Sequence, residues 1–535
     1  MKSLILLKMS DEKALVEVHP KGELAAGPET AAESITSVDT FAGKVQVKWT
    51  SEAAVSSLGL MPFFIEFLKT SGRFDEWVEQ CPLQYSSPNA PQKRDVLGTL
   101  LLAVLAGHWR YAHINAIRGD GVNPELLGMS KVVSEDSVRR ALLGIPEEEG
   151  EQWMKQALKS TYEPLLEEPW ALDLDATVKP LYGHQEEAKL GYNPSKPGRP
   201  SHVYHTYLLA NLRMVLDVEV QAGNQTAASY AQPELWEFLD GLPEASRPAF
   251  LRGDCNWGNE RAMQGAEERK LAYVFKLKQT AKVKQLLERL FGKGEWVEAG
   301  QGWQGLSTEL RLSGWSRTRR VIVLRRPLSP ARQEAETRKA KRQKASQMIL
   351  DLPELTHGGV RYEYAVLVTS MPDEVRAVAQ HYRDRGDSEN NFDELKNQWA
   401  WAGFTTQDRK RCQLVARITA LIYNWWNIFM RLGIPDRHAE AVTSRPLALH
   451  GIARRTRHSN QTTVEVTSTH AQAGLIAHTL AKVSAFLQRI SATAEQLTQA
   501  VRWRLILSSA FQFFLHGKVL GGTPRLTEMT ANCPF

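Results

Sequence analysis

Apolar and polar positions change period several times along the chain. Residues 10–42 are rich in Glu, Ala, Gly, Pro and Ser and repeat no apolar spacing, which predicts a disordered tail over 1–42. From GKVQVKWT to about residue 163 the pattern turns helical, predicting an N-terminal helical region over 43–165. RDVLGTLLLAVLAGHWRYAHINAIRG reads as one or two buried helices broken near a glycine. MSKVVSEDSVRRALLGI reads as a short helix, a turn and a second helix capped by Ser134.

A β-rich block follows. WALDLDATV, the hairpin HVYHTYLLANLRMVLDVEVQAG, AFLRGDCN and LAYVFKLK read as strands, with AASYAQPELWEFLDGL and GNERAMQGAEERK as helices between them. That order predicts a mixed α/β sheet flanked by helices over 166–278 and 360–432. Residues 279–359 change to short strands with charged turns and a basic helix-like stretch, ARQEAETRKAKRQKASQM, and read as a β-rich insertion. GQGWQG inside it matches a dinucleotide-binding glycine pattern. A strand rather than a helix follows it, so it is a hairpin turn. YEYAVLVTS returns to an apolar strand, and residues 381–401 form a charged helix. ITALIYNWWNIFMRLG is too short to span a bilayer and reads as a buried helix. The remainder, 433–535, begins polar and loop-like and ends in two or three amphipathic helices over 470–515.

Composition narrows this picture a little. Sixty-six basic residues against 60 acidic ones give a net charge of +6 over 535 residues, a mild bias toward a polyanionic partner. The four cysteines, Cys81, Cys255, Cys412 and Cys533, form no CxxC pair, which argues against a disulfide framework or zinc site and fits a reducing cytoplasm. No secretory leader is recognisable in MKSLILLKMS, and no membrane association is expected.

Several acids stand where chemistry is done. Asp173 and Asp175 lie two apart in an apolar strand and so share a face, where a carboxylate needs a partner or a metal. Asp254 sits where another strand gives way to a loop; capping the next helix is the ordinary alternative. In the charged helix, Tyr382, Arg385, Glu389 and Lys396 fall at roughly 0°, −60°, −20° and −40° on a wheel of about 100° per residue, one narrow stripe. Two aspartates on neighbouring strands and a glutamate on a following helix can hold two Mg²⁺ or Mn²⁺ ions through oxygen. Such a pair activates a water or 3′-hydroxyl for phosphoryl transfer. Arg385 suits a bidentate phosphate contact, Lys396 a point charge along the strand, and Tyr382 a hydroxyl to a phosphate oxygen. A salt-bridged helix face with Arg385 and Glu389 at i,i+4 explains the same spacing without DNA.

The spacing Tyr-x2-Arg-x3-Glu-x6-Lys resembles the YREK signature of DDE-type transposases of bacterial insertion sequences. LDLDATV resembles that family's first aspartate motif, with threonine at +2, which selects Asp175 over Asp173; RGDCNWGNE resembles the second and selects Asp254. The likeness covers residues 170–431, including a β insertion between the second aspartate and the glutamate. It implies a ribonuclease-H-like catalytic core, Asp175, Asp254 and Glu389 as catalytic metal ligands for Mg²⁺, and cut-and-paste chemistry on double-stranded DNA. It also implies an N-terminal domain for the element's ends and a homodimer on paired ends, in a bacterial cytoplasm beside the nucleoid.

Other candidates for DNA contact are Arg139 and Arg140 on the Ser134-capped helix, Lys196 and Arg199 in the proline-rich loop YNPSKPGRPSH, and Trp257 for stacking an unpaired base. Each has an ordinary alternative: a polar helix face, a surface hairpin, and core packing. A stand-alone nuclease of the same fold and an inactive DNA-binding derivative are the rival functions.

Overall fold

The computed structural model describes residues 4–6, 15–17, 35–50, 53–85, 87–193, 196–225, 232–292, 295–328, 356–357, 360–401, 403–467, 469–493 and 497–521. The basic stretch at 332–344 lies outside them. The chain divides into two compact units, Met1–Ala54 and Val55–Phe535.

In the first unit Leu4–Leu6 pairs antiparallel with Leu15–Glu17, and Ile35–Thr40 pairs antiparallel with Gly43–Lys48. Strands therefore stand where a disordered tail and the start of a helical region are expected. Val45 and Val47 alternate with polar residues, a period of two, and Gly43 supplies the positive φ of 100° that closes the turn.

The second unit opens with helices α1 (Met61–Ser71), α2 (Lys93–Leu105), α3 (Glu135–Leu143) and α4 (Glu147–Tyr162). Helix α2 is buried at every position from Asp95 to Leu105, as its unbroken apolar run requires. Ser134 caps α3 by accepting the N–H of Ser137. The residues just before Ser134, expected to be a short helix, are not helical; a single turn, Asn123–Leu126, precedes them.

The sheet is built from β1 (Ala171–Pro180), β2 (Ser201–Leu209), β3 (Met214–Ala222), β4 (Phe250–Gly253) and β5 (Ala272–Lys276). It continues through β6 (Val297–Gly300), β7 (Trp303–Leu310), β8 (Arg319–Pro327) and β9 (Val360–Thr369). Its order is β6-β7-β8-β9-β5-β4-β1-β2-β3, with Thr356–His357 paired to β9. Strand β4 runs parallel to both β1 and β5, while β1-β2-β3 are antiparallel. Three antiparallel strands followed by two parallel ones, in the order 3-2-1-4-5, is the ribonuclease-H-like arrangement. The strands read as an insertion extend this same sheet, because β9 pairs with β5. Gln301 and Gly302, with φ of 53° and 77°, make the two-residue turn between β6 and β7, so GQGWQG is a hairpin.

Between the strands lie α5 (Gln232–Asp240), α6 (Glu260–Glu268) and α7 (Ala281–Phe291), the last at the start of the stretch read as short strands, charged turns and one basic helix further on. After β9 come α8 (Val375–Arg383), α9 (Gly386–Gln398) and α10 (Arg409–Gly433).

Helix α10 is the buried helix expected from its aromatic run. Its polar residues serve β3, the last strand of the sheet, whose outer backbone groups would otherwise be unpaired. Asn424 accepts the N–H of Val215 at 2.9 Å and donates to its carbonyl at 2.8 Å. Gln413 accepts the N–H of Val220 and donates to Val218 O at 2.5 Å; Asn427 donates to Leu212 O at 3.0 Å.

Beyond residue 435, expected to be loop, β10 (Ile452–His458) and β11 (Gln461–Thr467) form an antiparallel ribbon that also pairs Val55–Ser56. Helices α11 (Ala473–Ala492) and α12 (Gln499–Ala510) pack on α1 and α10. Among the described residues no helix is long and apolar enough to cross a membrane.

Candidate active site

Parallel pairing of β1 and β4 sets Leu174 opposite Gly253, so Asp175 and Asp254 come next to each other on neighbouring central strands, Asp254 just past the end of β4. Alternation puts Asp173 on the same face, but its role differs. Asp173 is 1 % exposed and forms a two-pronged pair with Arg252, its register partner on β4, one arm at 2.7 Å. Arg252 also donates to the carbonyl of His381, tying β4 to α8. Asp175, one strand repeat on, has a side chain 22 % exposed to the cleft.

Asp254 is held by Asn256, whose backbone N–H donates to Oδ1 at 2.8 Å and whose side-chain amide donates to Oδ2 at 3.1 Å. The cap of α6 is Asn259, accepting the N–H of Ala262 at 3.0 Å, so Asp254 is not spent on capping. Gly253 is needed here because a Cβ would lie 2.7 Å from the Trp257 ring. Trp257 itself is 2 % exposed and packs toward Phe275. A ring so buried has no face for an unpaired base, and the packing alternative is the one this structure places it in.

The stretch 381–401 is not one helix. Arg385 N–H donates to Tyr382 O at 3.2 Å, a three-residue turn, and the α pattern resumes with Glu389 N–H on Arg385 O at 3.2 Å. Tyr382 therefore belongs to α8, Arg385 stands at the N-cap of α9, and Glu389 and Lys396 lie on α9. The tightened turn brings Arg385 over Asp175 in the middle of β1. Its guanidinium, 7 % exposed, bridges Asp175 and Glu389 at 2.7 Å each. Glu394, on the same charged stretch, is also buried. It accepts from Trp399 Nε1 at 3.0 Å and the Ala441 N–H at 3.0 Å, and pairs with His438 at 2.7 Å.

Asp175, Asp254, Glu389 and Lys396 line one cleft of about 790 Å³. Burial pushes Asp175 up to about 6; Arg385 and the Ala176 N–H draw it back, and the charges of Asp254 and Glu389 add to the rise. Burial, then the same two acids, raises the Tyr382 hydroxyl, which packs beside the cleft, while Arg385 opposes the rise. Asp175, Glu389 and Asp254 supply only oxygen donors and carry mutually repelling charge, the chemistry of a hard divalent cation site. Arg385 bridges Asp175 and Glu389, and among the described residues no group of three or more His, Cys, Asp or Glu is close enough to hold a metal.

The other candidates sit elsewhere. Arg139 pairs with Asp136 at 3.7 Å and stacks over Tyr111, while Arg140 Nε donates to Asp136 O at 3.3 Å. Lys196 and Arg199 are exposed, Arg199 over the Tyr182 ring; their loop reaches the cleft through Tyr192. Asn256 and Lys278 are additional cleft residues. Lys278 lies just past the end of β5, the same strand-end logic that singles out Asp254, and was legible on that ground.

The acids thus gather on the central strands of a ribonuclease-H-like sheet. The family model described as "Transposase DDE domain group 1" matches residues 39–488, and the chain belongs to that family. A search of curated proteins finds no match. Among solved structures, a piggyBac transposase synaptic complex with hairpin DNA is similar over 90% of this chain and 91% of that one, at 11% identity and a TM-score of 0.35.

Proposed function

We propose that this chain is the transposase of a mobile DNA element of the YREK type, cutting phosphodiester bonds at the element's ends and joining the freed 3′-hydroxyls to target DNA. The observation that carries this reading is the meeting of Asp175, Asp254 and Glu389 in one cleft of a chain of the DDE transposase family. Asp175, Asp254 and Glu389 would hold Mg²⁺, with Mn²⁺ as a substitute. When bound, such ions lower the pKa of a coordinated water and stabilise charge on the leaving oxygen.

The chain's own residues do the rest. Asn256 fixes the direction of the Asp254 carboxylate. Arg385 neutralises Asp175 and Glu389 until DNA arrives, then turns its two-pronged face to a phosphate. Lys396 meets the strand further along the cleft. The partners are double-stranded element ends and target DNA, and the working form is a dimer, since both ends are cut together.

The test is Mg²⁺-dependent cleavage of DNA carrying the element's inverted repeats, followed by strand transfer from a pre-cut end. Cleavage and joining by the parent, with both lost in Asp254→Asn, is the expected result. Cleavage without joining would instead mark a stand-alone nuclease. The bridge from Arg385 favours one further alternative, a copy that binds DNA without cutting; absence of both products with retained DNA binding would establish it.

A further inference from the structure

Six described arginines are buried: Arg252, Arg319, Arg385, Arg417, Arg431 and Arg445. Four of them face carboxylates: Arg252 with Asp173, Arg319 with Glu260 and Glu267, Arg385 with Asp175 and Glu389, and Arg417 with Asp217 and Glu151. Arg445 has no carboxylate, but its terminal nitrogens donate to the carbonyls of Val104 at 3.1 Å, Leu105 at 3.3 Å, and Gln398. Arg431 is the exception. Its Nε donates to Asn427 Oδ1 at 3.2 Å, and its guanidinium lies 5.2 Å from the Phe511 ring centre; among the described residues neither terminal nitrogen has an acceptor.

At 8 % exposure that is an expensive state for a cation. The C-terminal turn of α10 and the Phe511 ring offset part of the cost, and the terminal N–H groups are left facing the cavity that Arg431 lines. Burial pulls the pKa of Arg431 down to about 10; Tyr423 and Asp436 act against the fall and the charge on Arg213 adds to it.

Arg431, Arg213 and Arg437 line a cavity of about 1030 Å³ whose wall also carries Asp373, Asp384 and Asp436. This cavity opens at the start of β1 and β4, where Ala171 and Phe250 stand, four residues and so about 13 Å of strand from Asp175 and Asp254. Two guanidinium groups, one of them with its fork unpaired, form a receptor for a tetrahedral oxyanion.

We propose that this cavity binds a phosphate group, anchored by the terminal nitrogens of Arg431 with Arg213 beside it. The phosphate comes either from a DNA backbone, which rests on the transposase reading, or from a free phosphate or nucleotide, which does not.

The test uses the full chain without divalent ions, titrated calorimetrically with inorganic phosphate at constant ionic strength, comparing the parent with Arg431→Met and Arg431→Lys. The parent should bind saturably; Arg431→Met should lose at least about tenfold in affinity and Arg431→Lys less, since a lysine keeps the charge but not the fork. Arg431→Met keeps the packing against Phe511 and removes an uncompensated charge, so its thermal midpoint should equal or exceed the parent's. In a second arm, the salt dependence of duplex DNA binding is measured. A slope lower by about one in Arg431→Met identifies a DNA phosphate as the source. An unchanged slope with phosphate affinity lost identifies a free phosphate or nucleotide, and holds whether or not the chain is a transposase. No saturable phosphate binding by the parent, or equal binding by Arg431→Met, overturns the proposal.

Discussion

Asp173 and Asp175 sit two residues apart on one strand face, and the structure gives them opposite jobs that a pair of isosteric substitutions can separate. Asp173→Asn removes the negative charge from a pair whose members are 1 % and 4 % exposed, leaving Arg252 buried with no counter-charge. Breaking such a pair costs about 3–5 kcal/mol. Unfolding entropy of about 2.1 cal/mol/K per residue, over a unit of roughly 480 residues, makes that about 3–5 °C in thermal midpoint. The loss reaches the site as well, because Arg252 also holds the carbonyl of His381 at the end of α8. Asp175→Asn loses one arm of Arg385 but also removes a buried charge repelled by Asp254 and Glu389. Its midpoint should stay at or above the parent's while DNA cleavage falls by at least about a thousandfold, the scale of losing an electrostatic element of a reaction centre. Differential scanning fluorimetry and cleavage of a labelled end substrate read the two effects. Should Asp173→Asn leave the midpoint unmoved and abolish cleavage while Asp175→Asn does the reverse, the assignment of the first ligand is wrong.

Three further outcomes follow from the same geometry. Arg385→Ala should strengthen Mn²⁺ binding to the DNA-free chain, read by the paramagnetic resonance of free Mn²⁺, because no guanidinium then competes for Asp175 and Glu389; weaker binding would show that Arg385 organises the acids instead. Burial, with Asp217 and Glu234 adding, raises Glu219 to about 8 from 4.5, so the folded chain keeps a proton that the unfolded chain loses. Stability is therefore lost as pH rises from about 4.5 to 8, and Glu219→Gln should melt above the parent at pH 8 but with it at pH 4.5; parallel curves would contradict this. Trp257→Ala should lower the midpoint by about 3–5 °C through a core cavity worth about 3–5 kcal/mol, and a normal midpoint with weakened DNA binding would restore Trp257 as a stacking residue.

What could be read in advance depended on whether the deciding partner was near in sequence. The apolar strands β1 and β2, the Ser134 cap and the apolar run of α2 are local, and each is where its pattern put it. Helix α7 was legible too: Val283, Leu286, Leu287 and Leu290 make one stripe, though the surrounding Lys and Arg suggest turns. The β10–β11 ribbon is marked only faintly, because nearly all its side chains are exposed and only Val464 and Val466 alternate with polar neighbours. In α10, two asparagines in an apolar run signalled a buried polar demand, but nothing local named the edge of β3 as its source.

The stripe of Tyr382, Arg385, Glu389 and Lys396 shows how a right grouping can rest on an incomplete geometry. A continuous helix would line up all four, and Arg385 would then be one turn from Glu389 and tied to it alone. The tightened turn at Arg385 changes its neighbours: it keeps Glu389 and gains Asp175, 210 residues earlier in the chain. One guanidinium thus joins the middle of β1 to the start of α9. Such a bridge can be exchanged, because Glu389 is 65 % exposed and free to follow another cation, whereas the Asp173–Arg252 pair, sealed on both sides, cannot. The same residue types four positions apart along α9 and two apart along β1 therefore differ in what water can reach. That difference, more than the identity of the acids, separates the part of this site that holds the sheet together from the part that can change partners.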